Sequence, residues 1–495
     1  MNKMIRIVSL ILALVMLLPA VVACNKPDDN NDDNNDKGNV ADTNQGTEGD
    51  NGNKSSLPMI HWEGAEYRII GRDYTENNFK NFEVDREEMP EDVVGIAVWN
   101  RNNILMDKYG LDVVGTLVDD PGQEAKVFLD AGDDLYDLVI AKNTNFQTLA
   151  TAGQLINLNN LKYVDMEHEC WNDYVNEQMT FGGKLYYTNN QFTLQDKHRT
   201  WMLWYNRTLA NELNVGYLEQ EVFDGTWTID RVIEIAKQCV AETDGQDGLT
   251  GNDRWGLVYT DPYCLAQIAF GCGFRLSNKD ETGYPALVGA TDKMVGILDK
   301  VHELSVNTDI CFVGGLRPTA DDNLSGGKVF KEGRAVLSGF CLSGLDNLHM
   351  YDFEYGALPN PKWDVDQEQY ICVPNVSNGS MFGIPASVSD LDKADFALQA
   401  ISEESVETTY KEYINTRCLL QDAYDEDMAK CLRLIFDTVV YDIALIDDYG
   451  GLGKYMRGEL IKSSTNTFAR SYAKYEKRAK NEIKLVSEAY AALPY

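Results

Sequence analysis

Basic residues are scarce in this chain: 44 Lys and Arg stand against 78 Asp and Glu over 495 residues, a formal net charge of -34. Nucleic-acid binding needs a concentrated basic surface that displaces counterions, so this balance argues against that class. Local catalytic signatures are missing as well. The five His residues, at 61, 168, 198, 302 and 349, form no His-Glu-x-x-His set, and neither a Gly-x-x-x-x-Gly-Lys-Ser/Thr phosphate loop nor a Gly-x-Ser-x-Gly elbow occurs. Cysteine supplies no framework either. Besides Cys24 there are nine, at 170, 239, 264, 272, 311, 341, 372, 418 and 431. That odd number, widely and irregularly spaced, fits neither a disulfide scaffold nor a zinc ligand set, and most read as small core residues. Cys264 and Cys272 would pair only if their segment folded back. What is abundant is apolar mass, 44% hydrophobic with 8 Trp, 26 Tyr and 17 Phe, enough for about three domains or two generous lobes.

Long apolar runs are limited to the N-terminus, where Lys3 and Arg6 precede Ile7 to Val22, interrupted only by Ser9 and Pro19. Sixteen residues fall short of the roughly 20 that a spanning helix needs, so the run reads as a secretion signal. It ends in Val21-Val22-Ala23-Cys24. Small residues before a cysteine are what a lipoprotein signal peptidase requires, and the run resembles a bacterial lipobox: a signal over residues 1–23, with Cys24 as the lipidated first residue of the mature chain. Asn25 to Ser56 hold nine Asn, seven Asp and four Gly. Such a segment buries too little to offset its ordering entropy and reads, within residues 24–56, as a disordered spacer. Its span would be roughly 30 Å as a flexible coil. The signal carries +2 and the spacer -5, leaving -31 on residues 57–495, so the acidity belongs to the folded body and fits a well-solvated extracellular surface.

That body reads as alternating α/β. Arg68 to Gly71 is a short apolar strand; Val94, Val98, Ile104, Leu105 and Tyr109 follow a helical period that Gly110 stops. Leu111 to Val118 is a second strand, a helix covers about Gln123 to Ala131, and Leu138 to Ala141 is a third, buried strand. The order predicts a parallel sheet with covering helices, and ligands of such sheets sit at the carboxyl ends of strands, here the loops Arg72–Glu76 and Lys142–Phe146. Trp227 opens an amphipathic helix through Ile229, Val232, Ile233 and Ala236 and reads as a core or capping aromatic. A long terminal helix through Phe468, Tyr472, Ala479, Ile483 and Tyr490 is expected to pack on the second lobe, its basic face pairing with acidic surface.

Nine pieces then recur in one order: Tyr136-Asp137-Leu138-Val139-Ile140, Ala152-Gly153-Gln154-Leu155-Ile156, Gly183-Lys184-Leu185-Tyr186-Tyr187, Trp204-Tyr205-Asn206-Arg207, Thr226-Trp227-Thr228, Trp255-Gly256-Leu257, Phe330-Lys331-Glu332-Gly333-Arg334-Ala335, Tyr355-Gly356-Ala357-Leu358-Pro359 and Phe382-Gly383-Ile384-Pro385. In that order, behind a lipobox, they resemble the extracellular solute-binding proteins of bacterial ABC importers, in the sugar-type branch (family 1). The resemblance covers nearly the whole mature chain. It implies a type II periplasmic-binding-protein-like fold: two α/β lobes, 57–193 plus 352–405 and 194–351 plus 406–495, joined by hinge strands and closing over a ligand.

It also implies the contact loops. Arg72, Asp73 and Glu76 would follow the first strand, and Asn143, Thr144 and Asn145 the third; amides and carboxylates suit hydroxyls that both donate and accept. In the second lobe Trp255, Asp261 and Tyr263 lie on or after one strand, and Phe340 falls where relatives place a stacking aromatic. Lys184 to Tyr187 lead toward the crossover, where side chains can face the cleft. Trp201, in a crossover rich in charge and aromatics, reads as a further ligand anchor. The function so implied is capture of a small solute, a mono- or oligosaccharide, by a monomeric carrier that needs no cofactor or metal, performs no chemistry, touches the membrane through its lipid only and delivers to permease subunits. The alternatives are a surface polysaccharide-acting enzyme and a ligand receptor for a sensor kinase.

Overall fold

Tyr67, Ile69 and Ile70 are buried on β1 (Ala65–Arg72), which pairs in parallel along its full length with β2 (Leu111–Val118) and more briefly with β3 (Leu138–Lys142). The β1 to β2 connection runs through the helix Val93–Tyr109. Asp92 caps its start by accepting from the Gly95 N–H, and Gly110 ends it at φ 64°, a left-handed conformation in which glycine avoids the Cβ penalty. The helix Pro121–Ala131 makes the next crossing. These elements coincide with those expected from the sequence to within a few residues.

The computed structural model describes residues 55, 57–73, 84, 92–259, 263–305, 309–313, 325–344, 351–415, 425–460, 463 and 465–494. Cys24, Glu76, Asp261 and Cys418 lie outside the described residues. Among those that are described, no helix is long and apolar enough to cross a membrane, and the eight described cysteines are buried, with no disulfide between Cys264 and Cys272.

A second sheet begins with β4 (Trp201–Asn206) and β5 (Trp255–Tyr259). A hairpin of β6 (Ser277–Lys279) and β7 (Pro285–Leu287) stands outside it. The sheet is completed by β8 (Cys311–Val313), β9 (Ala335–Cys341) and β10 (Tyr355–Leu358), in the order β10-β4-β9-β5-β8. β4 is buried throughout. Its Trp201, Leu203 and Tyr205 join one core cluster, and Met202 and Trp204 join a second on the other face, as the twofold period of a strand requires. β11 (Ser380–Gly383) then rejoins the first sheet, antiparallel to β3, giving β11-β3-β1-β2.

Two placements differ from expectation. Residues 352–405 were assigned to the first lobe, yet β10 pairs antiparallel with β4, from Tyr355 opposite Asn206 to Leu358 opposite Leu203. The chain thus returns to the first sheet only between Leu358 and Ser380, because the apolar Tyr355–Leu358 run completes the buried edge of the second sheet beneath the helix Glu426–Asp437. The terminal helix Phe468–Ala492 is not confined to the second lobe. Phe468 packs on Phe274, while Tyr490 meets Phe181 and Tyr186. Lys184, 1% exposed, donates to the Tyr490 and Leu493 carbonyls, which closes the helix C-terminus with a buried cation and removes Lys184 from any cleft. Along the solvent face, Lys480–Glu476 and Lys484–Glu488 pair one turn apart.

The first recurrent piece has a structural reason. Asp137, 0% exposed, accepts from the Arg68 backbone N–H and its guanidinium and pairs with Lys393 at 3.0 Å. It pins the entry of β3 to β1 and to the helix Leu391–Ser405. Asp137→Ala would leave Lys393 without a carboxylate partner and Arg68 with Asp134 alone, and is expected to cost about 3 kcal/mol, measured as a lowered midpoint in urea denaturation with an unchanged slope.

Candidate functional site

The carboxyl ends of β1 and β3 approach the turn Asn375–Gly379, which carries the chain from the second sheet back to β11. Arg72, the last residue of β1, donates from Nη1 to Asn378 Oδ1 at 3.4 Å. Asn143, directly after β3, donates its backbone N–H to the Gly379 carbonyl at 3.2 Å. Its side chain is 0% exposed and neither amide atom is hydrogen-bonded. A Cβ at position 379 would stand 3.0 Å from Asn143 Nδ2, so glycine there lets the amide lie against the turn.

Asn143 to Asn145 form one 3-10 turn that runs into the helix Phe146–Thr151. That turn points Asn143 inward, leaves Thr144 exposed and sets Asn145 half-buried against Gly122, its Oδ1 enclosed and unbonded. Phe146 holds the turn from below by stacking on Tyr187 at 5.4 Å.

The second sheet reaches the same turn from the other side. Trp201 donates its backbone N–H to Val373, and Asn375 donates to the Arg199 carbonyl at 2.8 Å. The Arg199 guanidinium donates to Ser343 Oγ at 3.0 Å, both residues being buried. Trp201 is 6% exposed and meets the half-buried Phe340 edge-on, with ring centroids 6.3 Å apart. Position 339, just before Phe340, needs glycine because the Tyr259 ring fills the space a Cβ there would need. Arg457 donates to Ser377 Oγ at 3.2 Å; burial pulls its guanidinium below the usual value, opposed by Asp448 and Tyr263.

Of the residues singled out by sequence, Arg72, Asn143, Trp201 and Phe340 therefore gather around Val373–Gly379. Tyr263, exposed, stands close enough to Arg457 to act on it electrostatically. Asp73 follows Arg72 and donates its backbone N–H to Val118. Trp255 is a correction: it is 0% exposed, packs on Phe312 and donates Nε1–H to the Thr250 carbonyl, because it begins a strand buried on both faces. Arg199, Ser343, Arg457 and the turn itself were not foreseen. The Asn375-Val376-Ser377-Asn378-Gly379 run carries a turn composition that could have marked it, whereas Arg457 has no local signal. No group of three His, Cys, Asp or Glu among the described residues could hold a metal.

The arrangement is an α/β pair of sheets with strand carboxyl ends converging on a shared crossover, the type II periplasmic-binding-protein-like architecture. No protein-family model and no curated protein matches the chain. Solved structures do. A cyclo/maltodextrin-binding protein complexed with maltotetraose superposes with a TM-score of 0.54 at 15% identity, over 87% of this chain and 98% of that one. The ABC substrate-binding protein Lmo0181 from Listeria monocytogenes, in complex with cycloalternan, gives 0.51 at 14%, over 86% and 98%. UgpB from Mycobacterium tuberculosis, in complex with glycerophosphocholine, gives 0.51 at 14%, over 78% and 95%. At these identities the likeness establishes the fold.

A buried link borders the site. Gln147, on the helix after the Asn143 turn, donates Nε2–H to Asp447 Oδ2 and to the Tyr449 hydroxyl, each at 2.7 Å, and Tyr449 donates to the same carboxylate at 3.1 Å. Asp447 Oδ1 is enclosed without a partner. Burial, aided by Glu482, pushes this carboxyl up to about 8. The folded state thus holds a proton that an unfolded Asp, near 3.9, releases, so the link weakens folding progressively as pH rises from about 4 to about 8. Asp447→Asn should raise the melting temperature relative to the parent at pH 8, with the difference fading toward pH 4.

Proposed function

We propose that this protein captures an extracellular solute, a mono- or oligosaccharide, between its two sheets and passes it unchanged to the permease subunits of an ABC importer. In this reading the first lobe comprises residues 57–193 with β11 and the helix Leu391–Ser405, the second lobe begins at 194, and Cys24 carries the lipid that tethers the protein to the outer face of the membrane. The observation that carries the reading is the Asn143 amide, enclosed at the end of β3 with neither polar atom bonded. A buried amide without partners costs roughly 1 to 3 kcal/mol, and a ligand hydroxyl, which both donates and accepts, satisfies both of its atoms. Around it stand guanidinium donors at Arg72, Arg199 and Arg457 and the edge-on Trp201–Phe340 pair. That mixture of convergent polar groups and an aromatic wall suits a sugar, whose hydroxyls and C–H faces need both. The three neighbouring folds named above include proteins solved with maltotetraose and cycloalternan, which supports the ligand class.

Thermal-shift screening against mono- and oligosaccharides tests this reading. A ligand at 100 times its dissociation constant should stabilise by about 2.7 kcal/mol. Asn143→Leu should weaken binding about tenfold or more while leaving the ligand-free melting temperature equal or higher, because it removes the unsatisfied amide at nearly constant volume. Absence of stabilisation by any saccharide at millimolar levels would remove the carbohydrate assignment, and release of reducing sugar during the screen would point to a hydrolase instead.

A further inference from the structure

Apart from the Asn143 site, the chain forms a half-open cavity of about 520 Å³ where its passages between the sheets come together. The walls are supplied by the start of the helix Asp173–Met179, by Asn190 to Lys197 ahead of β4, by Gln369 to Ile371 ahead of β11, and by Phe436 to Tyr441. None of these residues belongs to the cluster around Asn375–Gly379. Nothing in the solute-binding reading uses this space.

Its lining has a definite chemistry. Trp171, Tyr174, Tyr370, Tyr410, Phe436 and Tyr441 supply aromatic surface. Among the described residues, the charged groups of the lining are Asp173, Asp196 and Asp437 against one cation, Lys197. Lys197 is already engaged: its ammonium donates to the Asn190 and Thr193 carbonyls at 3.0 Å each and lies 3.4 Å from Asp196. Asp196 also accepts from the Tyr441 hydroxyl at 3.1 Å, so those two charges cancel within the wall. Asp173 and Asp437 form no ion pair among the described residues and stand exposed at the rim. The Gln191 amide oxygen, enclosed in the lining, accepts no hydrogen bond. What the cavity leaves uncommitted is therefore two carboxylates and an amide acceptor over an aromatic wall.

We propose that this hinge cavity is a second ligand site and that it takes a small organic cation, an alkylammonium or quaternary ammonium compound. Aromatic faces attract such cations through the ring quadrupole, more strongly once the cation is desolvated, and the rim carboxylates Asp173 and Asp437 add Coulombic attraction at the entrance. A neutral solute would leave the carboxylates without a counterpart, and an anion would meet them directly. Burial also raises the Asp437 carboxyl, with only Arg433 opposing, a bias that a bound cation reverses. The site is independent of the cleft and of its carbohydrate assignment.

Isothermal titration and thermal shift on the full chain test this, with choline and putrescine as probes carried to tens of millimolar, and 3,3-dimethylbutanol and butane-1,4-diol as their neutral counterparts. Saturable stabilisation by at least one cation, absent with its neutral counterpart, is the expected result. Tyr174→Ala and Asp437→Asn change exposed residues, so the unliganded melting temperature should hold while each weakens cation binding by about tenfold. Failure of both cations to bind, equal binding of the neutral compounds, or binding that survives both substitutions together would each overturn the proposal.

Discussion

Arg199 accepts a hydrogen bond from Asn375, and two residues on Trp201 donates to Val373. This short two-bond ladder, which sets Thr200 opposite Pro374, lays the first passage between the sheets beside the return passage. A third stretch joins on the far side, where Cys372 donates to Thr438 and accepts from Val440. Buried backbone groups must be paired, and at this junction the crossing segments pair much of their backbone with one another. These main-chain bonds align the crossing segments, and Arg199, Trp201 and much of the hinge cavity's wall project from those segments or from the strand ends next to them. The bonds fix which residues face each other, and the terminal helix adds a second tie through Tyr490 and Lys184.

Much of the first sheet was legible in the sequence because its signals are local. The apolar runs Leu111–Val118 and Leu138–Ala141, the helical period before Gly110 and the order strand, helix, strand each follow from nearest-neighbour chemistry. The second sheet was less legible in its bounds. β10 carries the same apolar alternation as strands of the first sheet, and which sheet it joins depends on pairing with Leu203 to Asn206, some 150 residues away, which no local pattern encodes. Trp255 misled for a related reason. It lies on a strand whose following loop is expected among the contacts, but β5 lies between two other strands, so its first residue packs inward on Phe312. Lys184 shows the same limit in polar form. Its partners are carbonyls at the far end of the terminal helix, at Tyr490 and Leu493, and a lysine in a turn gives no hint of them. For the site, the loops after β1 and β3 were found because parallel sheets present ligands at strand carboxyl ends. Arg199 and Arg457 were missed because they come to the turn only through tertiary packing.

The charge distribution separates at this level of detail. A net charge of -34 describes a body whose far-reaching field repels anions, yet three guanidiniums, of Arg72, Arg199 and Arg457, hydrogen-bond within and around the Asn375–Gly379 turn. Screening over roughly 8 Å at physiological salt keeps the distant carboxylates from dominating such a cluster. The hinge cavity has the opposite sign, with its lysine neutralised in the wall and two carboxylates at the rim. Two places on one acidic protein are thereby set for different chemistry, and net charge alone distinguishes neither.

Enclosed polar atoms without partners stand at both places: the Asn143 amide and Asn145 Oδ1 by the turn, Asp447 Oδ1 in the link beside it, the Gln191 oxygen in the cavity. Each carries a desolvation penalty of order 1 to 3 kcal/mol that folding alone does not recover. A chain selected only for stability would replace Asn143 by an apolar residue of similar size, since replacing such a group can be neutral or stabilising. Its retention against the glycine turn, where even a methyl on residue 379 would crowd it, is most simply accounted for if the missing partner is a ligand group that arrives after folding. Affinity then includes relief of a penalty already present in the empty protein, which is the thermodynamic meaning of a preorganised site.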